Sequence, residues 1–490
     1  MHLILNRQNA CEISKSGYNV VIVNNQPISK GRNAQMSYKT VNPYTNEVEH
    51  EYEDTTNAEI EQTLAKAHAL YKLWRKDNDL EARKAVIVRL GELLRERRTA
   101  MAELMVRDMG KLIGEAEAEV DLCASFCGYY VEKANEFLQP KPIYTTSGNA
   151  YVLKQSLGAL MAVEPWNFPF YQIARVFIPN FLVGNPMLLK DAANCPTSAQ
   201  AFCDLVAEAG APEGSLTNLF VSYDQVSDII ADPRIAGVCL TGSERGGKAV
   251  ATEAAKHLKK STMELGGNDA FIVLNDADMD KLKNTIRFAR LFNAGQVCTS
   301  SKRFIVPEDM KDQFIAMVKE VFADVKMGDP LDRSTTLAPL SSKKAKEKLE
   351  KQVADAIAGG ATLAYQHEPV ALPGQFFPPA ILTDIDENNP IFDQELFGPV
   401  AEVYTYKTED EAVALANNSS YGLGNTVFGE VKHAREVAAK IETGMSWIND
   451  GWASLPEIPF GGVKHSGYGR ELSEIGFTEF VNQHLIYEAQ

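Results

Sequence analysis

Short apolar runs alternate with helical segments between residues 158 and 276, and this alternation restricts the possible folds more than any other feature of the sequence. Runs such as GALMAVEP, IAGVCLTG and DAFIVLND are bounded by Gly, Pro, Asn or Asp, which is typical of buried strands. Strands that alternate with helices favour a parallel sheet covered by helices. We therefore predict a fold of the α/β class.

A second alternating series begins near Asp278, where a predicted helix that runs to Gly295 precedes the strand-like KRFIVP. The chain has 490 residues, whereas a single hydrophobic core stops growing at about 250–300 residues. Two series and this length predict two α/β lobes with a cleft between them. Before them, helical periodicity from Asn57 to about Leu138 predicts a helical layer, with Gly110 as a helix end.

Two further segments have the alternation of β strands. Residues 137–153 contain turn residues inside an alternating pattern, which predicts a hairpin that projects from the body. The tail, residues 478–489, is strand-like, and an exposed terminal strand needs a partner. We expect it to pair with the projecting hairpin of a neighbouring subunit. Residues 1–35 read poorly as part of a fold and lack a secretory h-region, so we predict an N-terminal extension.

Composition and charge exclude several functions. The formal net charge is -16, which disfavours nucleic acid because phosphate backbones are bound by clustered Lys and Arg. No apolar run approaches the ~18 residues of a membrane span. The seven cysteines lack metal-ligand spacing, and Cys123 and Cys127 suit one helix face, so we predict no metal site. An odd number of scattered cysteines indicates a reducing compartment, and we expect the cytoplasm.

Three residues are candidates for chemistry. Cys298 follows a predicted helix among polar neighbours, which suits a thiol that meets a substrate rather than one that packs in a core. Glu264 ends a predicted strand and is able to act as a general base beside a thiol. Asn167 carries an amide that donates to an oxyanion, although alone it is an ordinary turn residue. A strand-to-helix turn at Ser243 suits a phosphate, but it lacks the full dinucleotide fingerprint.

The chain resembles the aldehyde dehydrogenase superfamily from about Met36 to its C-terminus. The resemblance is carried by six motifs in the family's order, namely PWNFP, TGSERGG, MELGG, GQVC, ELFGPV and PFGGVKHSGYGRE. It implies an aldehyde dehydrogenase-like fold with a Rossmann-type cofactor domain, an α/β catalytic domain and a small β oligomerisation element. The implied limits are an extension at 1–35, a cofactor domain at 36–136 and 154–266, a catalytic domain at 267–464, and the oligomerisation element at 137–153 and 465–490.

The resemblance also implies an activity and its residues. Cys298 attacks an aldehyde carbonyl, Asn167 and the backbone N–H of Cys298 stabilise the oxyanion, and hydride passes to a nicotinamide cofactor. Glu264 activates the water that hydrolyses the resulting thioester. The implied cofactor-binding residues are Pro165, Trp166, Lys190, Ser243, Gly247, Leu265, Glu395 and Phe397.

Cofactor preference depends on the position three residues after Lys190. NAD-preferring members commonly place an acid there to bind the adenine ribose, but this chain has Ala193. Without a carboxylate, a 2′-phosphate meets no like charge, and Lys190 is able to pair with it. We predict that the cofactor is NADP or NAD and that NADP is accepted, an acceptance that Asp191 would weaken if it turned inward.

The C-terminal motif and the segment around Cys298 look most like the shorter bacterial succinate-semialdehyde dehydrogenases. Arg175 falls where some of those enzymes place an arginine that anchors the substrate carboxylate, although a structural salt bridge is the other reading. Their second arginine is here Phe292. Either Arg175 binds the carboxylate together with hydroxyls such as Ser454, or the substrate is a less polar aldehyde.

Three other functions remain open on sequence alone: a CoA-acylating relative, a thiol hydrolase without nicotinamide, and an inactive structural relative. Glu264 favours water over CoA, the ELFGPV and TGSERGG motifs argue against the hydrolase, and the presence of Asn167, Glu264 and Cys298 argues against an inactive relative. We expect a homodimer or homotetramer that acts on a small aldehyde.

Overall fold

The computed structural model describes residues 38–489, so the predicted extension at residues 1–35 lies outside the described residues. The strands are β1 (Tyr38–Val41), β2 (Val48–Tyr52), β3 (Lys141–Ile143), β4 (Asn149–Ser156), β5 (Ala159–Val163), β6 (Met187–Lys190), β7 (Leu216–Asn218), β8 (Ile235–Thr241), β9 (Lys260–Glu264), β10 (Ala270–Val273), β11 (Arg303–Pro307), β12 (Thr362–Gln366), β13 (Ala380–Thr383), β14 (Val400–Tyr406), β15 (Tyr421–Gly422), β16 (Gly424–Phe428), β17 (Met445–Ile448), β18 (Val463–Lys464), β19 (Gly467–Tyr468) and β20 (Val481–Glu488).

The α-helices are α1 (Asn57–Lys76), α2 (Leu80–Glu96), α3 (Arg98–Met109), α4 (Ile113–Phe137), α5 (Pro169–Val183), α6 (Pro196–Glu208), α7 (Tyr223–Ala231), α8 (Glu244–Lys256), α9 (Met279–Leu291), α10 (Lys311–Ala323), α11 (Lys343–Ala358), α12 (Glu409–Asn417), α13 (Val431–Ala438) and α14 (Ser473–Phe477). Two 3-10 helices span Phe292–Gly295 and Glu308–Met310. The predicted helical layer is α1 to α4, and α3 ends at Gly110, whose φ of 82° is the left-handed conformation that suits glycine.

The first large sheet has the strand order β19-β9-β8-β5-β6-β7. Its strands are parallel except β19, which runs antiparallel to β9. From β5 the chain first adds β6 and β7 on one side and then β8 and β9 on the other. The reversal opens a crevice at the carboxyl ends of β5 and β8, which is the usual place for a ligand in an open α/β sheet.

The second large sheet has the order β12-β13-β14-β11-β10-β16-β17 and is parallel except for its edge strand β12. Its inner strands are buried along their whole length, as parallel strands covered by helices on both faces must be. The two sheets confirm the predicted α/β class with two alternating series. None of the helices in the described part of the chain is long and apolar enough to cross a membrane.

The third sheet, β20-β4-β3, contains the predicted hairpin and the predicted tail strand. Here the prediction of pairing with a neighbour was wrong, because β20 lies antiparallel to β4 of its own chain, from Val481 opposite Ser156 to Glu488 opposite Asn149. The reason is that Val481 is buried in the core directly beside the end of β4, so the tail must run back along its own hairpin. The predicted domain limits stay a prediction.

Candidate active site

The loop that carries Cys298 is built from left-handed backbone. Asn293 and Ala294 both have φ of 52°, and Gly295 follows with φ of 75°. The helix predicted to run to Gly295 therefore ends early, since consecutive left-handed residues reverse the chain. Gln296 fixes the turn, with its amide donating to the Asn293 carbonyl at 3.1 Å. The loop presents Cys298, which is half-buried, at the wall of a pocket.

The Cys298 thiol is in a low-dielectric environment. Burial raises its pKa to about 12, and the charges of Lys302 and Arg175 oppose this rise, while Glu395 and Asp269 add to it. A thiolate is the reactive form of cysteine, so the two neighbouring cations favour the nucleophile.

Asn167 lies between β5 and α5 and is tied to the same loop. Its side-chain amide donates to the Gln296 carbonyl at 3.1 Å, and Asn293 donates back to the Asn167 carbonyl at 2.9 Å. Asn167 is buried, so its amide has a fixed direction. A fixed amide donor beside a thiol is what an oxyanion site requires.

Glu264 ends β9 and is buried, and neither of its carboxylate oxygens has a hydrogen-bond partner. Its carboxyl group packs against Gly461, where an added Cβ would lie 2.6 Å from Oε1. Burial and, next, the charge of Glu471 raise its pKa well above the usual range, whereas Arg175 and Arg470 lower it. A base with a raised pKa suits proton abstraction near neutral pH.

Arg175 is the centre of a buried polar network on α5. Its guanidinium forms an ion pair with Glu471, donates to Thr241 at 3.0 Å, and donates to the Tyr171 hydroxyl at 3.2 Å. Tyr171 in turn shares a 2.6 Å hydrogen bond with Ser454. Both predicted polar substrate residues, Arg175 and Ser454, are thus connected through Tyr171, and Arg175 also forms the salt bridge that was its alternative reading.

A pocket of about 610 Å³, including its open mouth, contains Cys298, Arg175 and Ser454 together. Five aromatic side chains line it as well, namely Phe168, Tyr171, Phe292, Trp452 and Phe460, and the rest of the lining includes the two carboxyl groups of Glu115 and Glu119. Phe292 stacks on Phe168 with ring centroids 6.3 Å apart, and Trp452 lies edge-on to Phe292 at 5.5 Å. The residue that replaces the second arginine is therefore part of an aromatic wall.

The predicted cofactor residues lie near the carboxyl ends of the parallel strands of the first sheet. Trp166, which follows Pro165 after β5, meets Phe397 edge-on with ring centroids 5.6 Å apart. The Glu395 carboxylate accepts from the Gly267 N–H at 3.1 Å. A Cβ at Gly266 would lie 2.7 Å from the other Glu395 oxygen, so only glycine allows this approach.

Ser243 lies in the strand-to-helix turn after β8, Gly247 lies in the first turns of α8, and Leu265 directly follows β9. Ser243 caps α8 by accepting from the Gly246 N–H at 3.3 Å. A Cβ at Gly247 would lie 2.6 Å from the Leu265 side chain, so this glycine lets the helix approach β9 closely. The N-terminus of α8 opens at the crevice edge, where free N–H groups favour an anion.

Lys190 ends β6 and is buried between two tyrosines. Its ammonium lies 5.6 Å from the ring centroid of Tyr38 and 5.7 Å from that of Tyr223, and burial lowers its pKa to about 8. The carboxyl group of Asp191 is buried and accepts from the Ala192 N–H, and its pKa is raised well above the usual range, chiefly by burial. A raised pKa disfavours the charged form of Asp191, which is the form that would oppose a phosphate.

These residues fit a dinucleotide. The α8 N-terminus suits its phosphates, the Glu395 carboxylate suits ribose hydroxyls, and the Trp166–Phe397 pair suits a flat ring. Lys190 would lie at the ribose nearer the adenine, in a site without a carboxylate at position 193.

Several residues of the site were missed in the sequence. Tyr171 lies four residues after Asn167 and four before Arg175, a helical spacing that could have revealed it. Lys302, four residues after Cys298, could have been noticed as a cation near the thiol. Trp452 carries no local signal, and Glu471 ends the motif PFGGVKHSGYGRE, but only the tertiary fold shows that Trp452 reaches the pocket and that Glu471 pairs with Arg175.

Comparisons with known proteins agree with this geometry. A model of the aldehyde dehydrogenase family matches residues 30–486. The NADP(+) succinate-semialdehyde dehydrogenase of Deinococcus radiodurans is 45% identical over 450 residues, which cover 92% of this chain and 94% of the relative. A corresponding enzyme of Mycobacterium avium is 37% identical over 92% of this chain and 97% of its own length.

Solved structures give the same result. A crystal structure of succinic semialdehyde dehydrogenase from Streptococcus pyogenes in complex with NADP+ is 58% identical, with a TM-score of 0.92 over 92% of this chain and 100% of that chain. A structure of lactaldehyde dehydrogenase is 29% identical, with a TM-score of 0.88 over 93% of this chain and 96% of that chain. The family resemblance expected from the six motifs is confirmed: the chain belongs to the aldehyde dehydrogenase family.

Proposed function

We propose that this chain oxidises succinate semialdehyde to succinate with NADP, and accepts NAD less well. The observation that carries the proposal is that Cys298 and Arg175 line one pocket, so that a thiol for the aldehyde and a guanidinium for a remote carboxylate face one substrate. The names of relatives at 45% and 58% identity support the same substrate and cofactor.

Cys298 is the proposed nucleophile. As a thiolate it attacks the aldehyde carbon, and the carbonyl oxygen becomes an alkoxide. The Asn167 amide and the backbone N–H of Cys298 donate to that oxygen, a contribution typically worth about 3–4 kcal/mol for each donor. Residues such as Glu395, Trp166 and Lys190 would hold a dinucleotide, which would supply the hydride acceptor. Loss of hydride from the tetrahedral carbon leaves a thioester on Cys298.

Glu264 is the proposed general base for the second half of the reaction. It takes a proton from a water molecule, the oxygen of that water attacks the thioester carbonyl, and the Cys298 thiolate leaves. The buried position of Glu264 at the end of β9 and its raised pKa support this role.

The proposed anchor for the substrate carboxylate combines Arg175, Tyr171 and Ser454. Their hydrogen bonds already join them into one chain of donors across the pocket wall. Because Glu471 partly neutralises the charge of Arg175, the hydroxyls of Tyr171 and Ser454 donate the hydrogen bonds to the carboxylate that a second arginine at position 292 would supply.

A less polar aldehyde is the second candidate substrate, because five aromatic side chains line the pocket. The deciding experiment follows the absorbance of the reduced cofactor with succinate semialdehyde, with neutral aldehydes of similar length and with an aromatic aldehyde. The highest kcat/KM is expected with succinate semialdehyde and NADP. A higher value for the neutral aldehydes favours the second candidate.

Two controls address the other classes of function. Cys298→Ser should abolish cofactor reduction, and full activity of this variant would overturn the proposal. Turnover that requires added CoA would identify an acylating enzyme, because water would then not be the acceptor of the acyl group. Hydrolysis of thioesters or esters without any need for nicotinamide would identify a thiol hydrolase.

We also propose a homo-oligomer, either a dimer or a tetramer, that uses the β20-β4-β3 sheet to contact a second copy of this chain. Large apolar side chains are exposed there, with Tyr144 98% exposed and Leu485 56% exposed. An exposed apolar face of this kind marks an interaction surface. Light scattering of the wild type and of Leu485→Glu tests this, since a dissociated variant is expected and an unchanged mass argues against the surface.

Two further proposals concern organisation and location. We propose the domain limits given by the family resemblance, with the cofactor residues on the first sheet and the Cys298 loop before the second. We propose a reducing compartment, the cytoplasm, because all six cysteines in the described part of the chain are free. Limited proteolysis at the predicted boundaries and thiol counts on freshly isolated protein test these two statements.

A further inference from the structure

Lys302 is a fully buried lysine four residues after Cys298, at the point where the nucleophile loop enters β11. Its ammonium donates to the carbonyl of Val297 at 3.0 Å and to the carbonyl of Cys298 at 2.5 Å. It also forms an ion pair with Glu395, with an N–O distance of 3.6 Å. All of its nearest acceptors thus belong to the nucleophile loop or to the proposed ribose-binding carboxylate.

The direction of this side chain is fixed by its own backbone. The Lys302 N–H donates to the Asp269 carbonyl at 3.1 Å, and the Lys302 carbonyl accepts from the Glu402 N–H at 3.0 Å. On the other side, Gly267 packs against the Cys298 carbonyl so closely that an added Cβ would lie 2.7 Å from that oxygen. The Cys298 carbonyl is therefore held between the Lys302 ammonium and the Gly267 backbone.

The charged groups near Lys302 and the Cys298 thiol come from several elements. Glu395 from the loop before β14, Asp269 from the start of β10 and Arg290 from α9 act on Lys302, and burial lowers its pKa. The same Glu395 and Asp269 act on Cys298, together with Arg175 from α5. Among the charged neighbours of the thiol, Lys302 opposes its raised pKa most strongly.

We propose that Lys302 is a positioning residue for the nucleophile, whose buried ammonium fixes the main chain of Val297 and Cys298 and supplies the main positive charge that stabilises the Cys298 thiolate. The proposal rests on the proposed function in one respect, namely that Cys298 is the nucleophile. A lysine with only a packing role would not make two hydrogen bonds to the Cys298 loop together with an ion pair to the Glu395 carboxylate.

The test measures thiolate formation without the dehydrogenase reaction. The thiolate displaces iodide from iodoacetamide and forms a carbon–sulfur bond, so the alkylation rate of full-length protein reports the thiolate fraction. Between about pH 6 and about pH 10 this rate is measured on the rising part of the profile, and the displacement of that part along the pH axis gives the difference in midpoint between variants. Mass spectrometry of the peptide that contains Cys298 identifies the modified thiol, and Cys298→Ser supplies its baseline. Circular dichroism and thermal unfolding establish that each variant is folded.

Lys302→Gln keeps a donor for the two carbonyls and removes the charge, whereas Lys302→Arg keeps the charge. The midpoint of the alkylation profile is expected to rise by about one pH unit or more in Lys302→Gln, which is about tenfold slower alkylation on the rising part of the profile. In Lys302→Arg the midpoint is expected to stay closer to that of wild type. Lys344→Met, which removes an exposed lysine of α11, is the matched control and should change nothing.

Equal midpoints in Lys302→Gln and wild type would overturn the proposal, as would equal shifts in the Gln and Arg variants. Glu395→Gln gives a check that does not depend on the folding of the Lys302 variants. This variant removes a carboxylate that competes for the ammonium and that itself raises the thiol pKa, so the midpoint should fall, and an unchanged midpoint would contradict the proposal. Absence of alkylation at Cys298 in the wild type would instead refute the proposed nucleophile, so the two failures are distinguishable.

Discussion

The guanidinium of Arg175 forms a buried ion pair with the carboxylate of Glu471. Arg175 lies on α5, the helix that begins just after Asn167. The arginine is 1% exposed and lies between the rings of Tyr171 and Phe460, at 4.9 Å and 4.7 Å from their centroids. The guanidinium therefore pairs with the buried Glu471 carboxylate and also lines the pocket that contains Cys298. This double use gives the first prediction.

Replacing Arg175 should separate carboxylated from neutral substrates. In Arg175→Gln, KM for succinate semialdehyde is expected to rise about tenfold or more relative to KM for a neutral aldehyde of similar length, because a charge-assisted hydrogen bond contributes about 1.5–3 kcal/mol. Steady-state kinetics with both substrates measure the ratio. Arg287→Gln, which alters an exposed arginine, is the control. Equal changes in both KM values would assign Arg175 a purely structural role.

Glu471→Gln removes the other member of the Arg175–Glu471 ion pair. Without the competing carboxylate, the guanidinium keeps its full charge for the pocket, so KM for succinate semialdehyde is expected to fall severalfold while KM for the neutral aldehyde stays close to wild type. The same kinetic assays give both values. A rise in KM for succinate semialdehyde would show that Glu471 mainly orients Arg175 instead of competing for it.

Glu264 should control the second half of the reaction and its pH dependence. Because the pKa of Glu264 is raised above the ordinary glutamate value, the ionised base appears only as pH rises, so the rate of thioester hydrolysis should rise with pH. Glu264→Gln should lower kcat by about 100-fold or more while keeping a rapid first turnover. Stopped-flow absorbance of the reduced cofactor measures both phases. A variant that loses the rapid phase as well would place Glu264 in the first half of the reaction.

The strands and the three catalytic candidates could be predicted from the sequence because their signals are local. A buried parallel strand is a short apolar run, and Asn167, Glu264 and Cys298 each lie in a short motif at the end of a strand or helix. The aromatic wall could not be predicted, since Phe168 and Trp452 are nearly 300 residues apart and meet only in the fold.

The two departures from the sequence prediction have physical causes that are not local. Apolar spacing extended the predicted helix to Gly295, but the left-handed Asn293 and Ala294 are held by a hydrogen bond that Asn293 donates to the distant Asn167 carbonyl and by one within the loop. The tail strand showed the right pattern, but the buried Val481 determines which hairpin it meets. Periodicity describes one element at a time and carries no information on either contact.

The cofactor preference should respond to one side chain at position 193. Ala193→Glu places a carboxylate three residues after Lys190, where it would repel a 2′-phosphate and accept from ribose hydroxyls. The ratio of kcat/KM for NADP to that for NAD is expected to fall by about tenfold or more, the effect of about 1.4 kcal/mol. Ala193→Gln is the uncharged control. An unchanged ratio in the Glu variant would mean that the phosphate lies elsewhere.

The row of residues at the carboxyl ends of β5, β8 and β9 gives a prediction on stability. In the strand register, Val163 lies opposite Leu240 and Thr241 lies opposite Glu264, so Glu164 continues the same row. Glu164 is 3% exposed, and its pKa is raised well above the ordinary value of 4.5 by burial and then by Glu471, with Arg175 opposing.

A carboxyl group with a raised pKa makes stability depend on pH. The folded protein keeps the Glu164 proton to a higher pH than the unfolded chain does, so the free energy of unfolding is largest below the ordinary glutamate pKa. It then falls by up to about 1.4 kcal/mol per pH unit until the raised pKa is reached. Glu164→Gln removes this loss, because the amide is uncharged at every pH.

The Tm of Glu164→Gln is therefore expected to exceed that of wild type at about pH 9 and to approach or fall below it at about pH 5, where wild-type Glu164 is protonated. Thermal unfolding followed by circular dichroism across this range measures the difference. Glu347→Gln, on the exposed face of α11, is the control, and its Tm should differ from that of wild type by a small amount that is the same at every pH. A constant Tm difference between Glu164→Gln and wild type would mean that Glu164 keeps its charge inside the folded protein, neutralised by Arg175 despite the nearby Glu471.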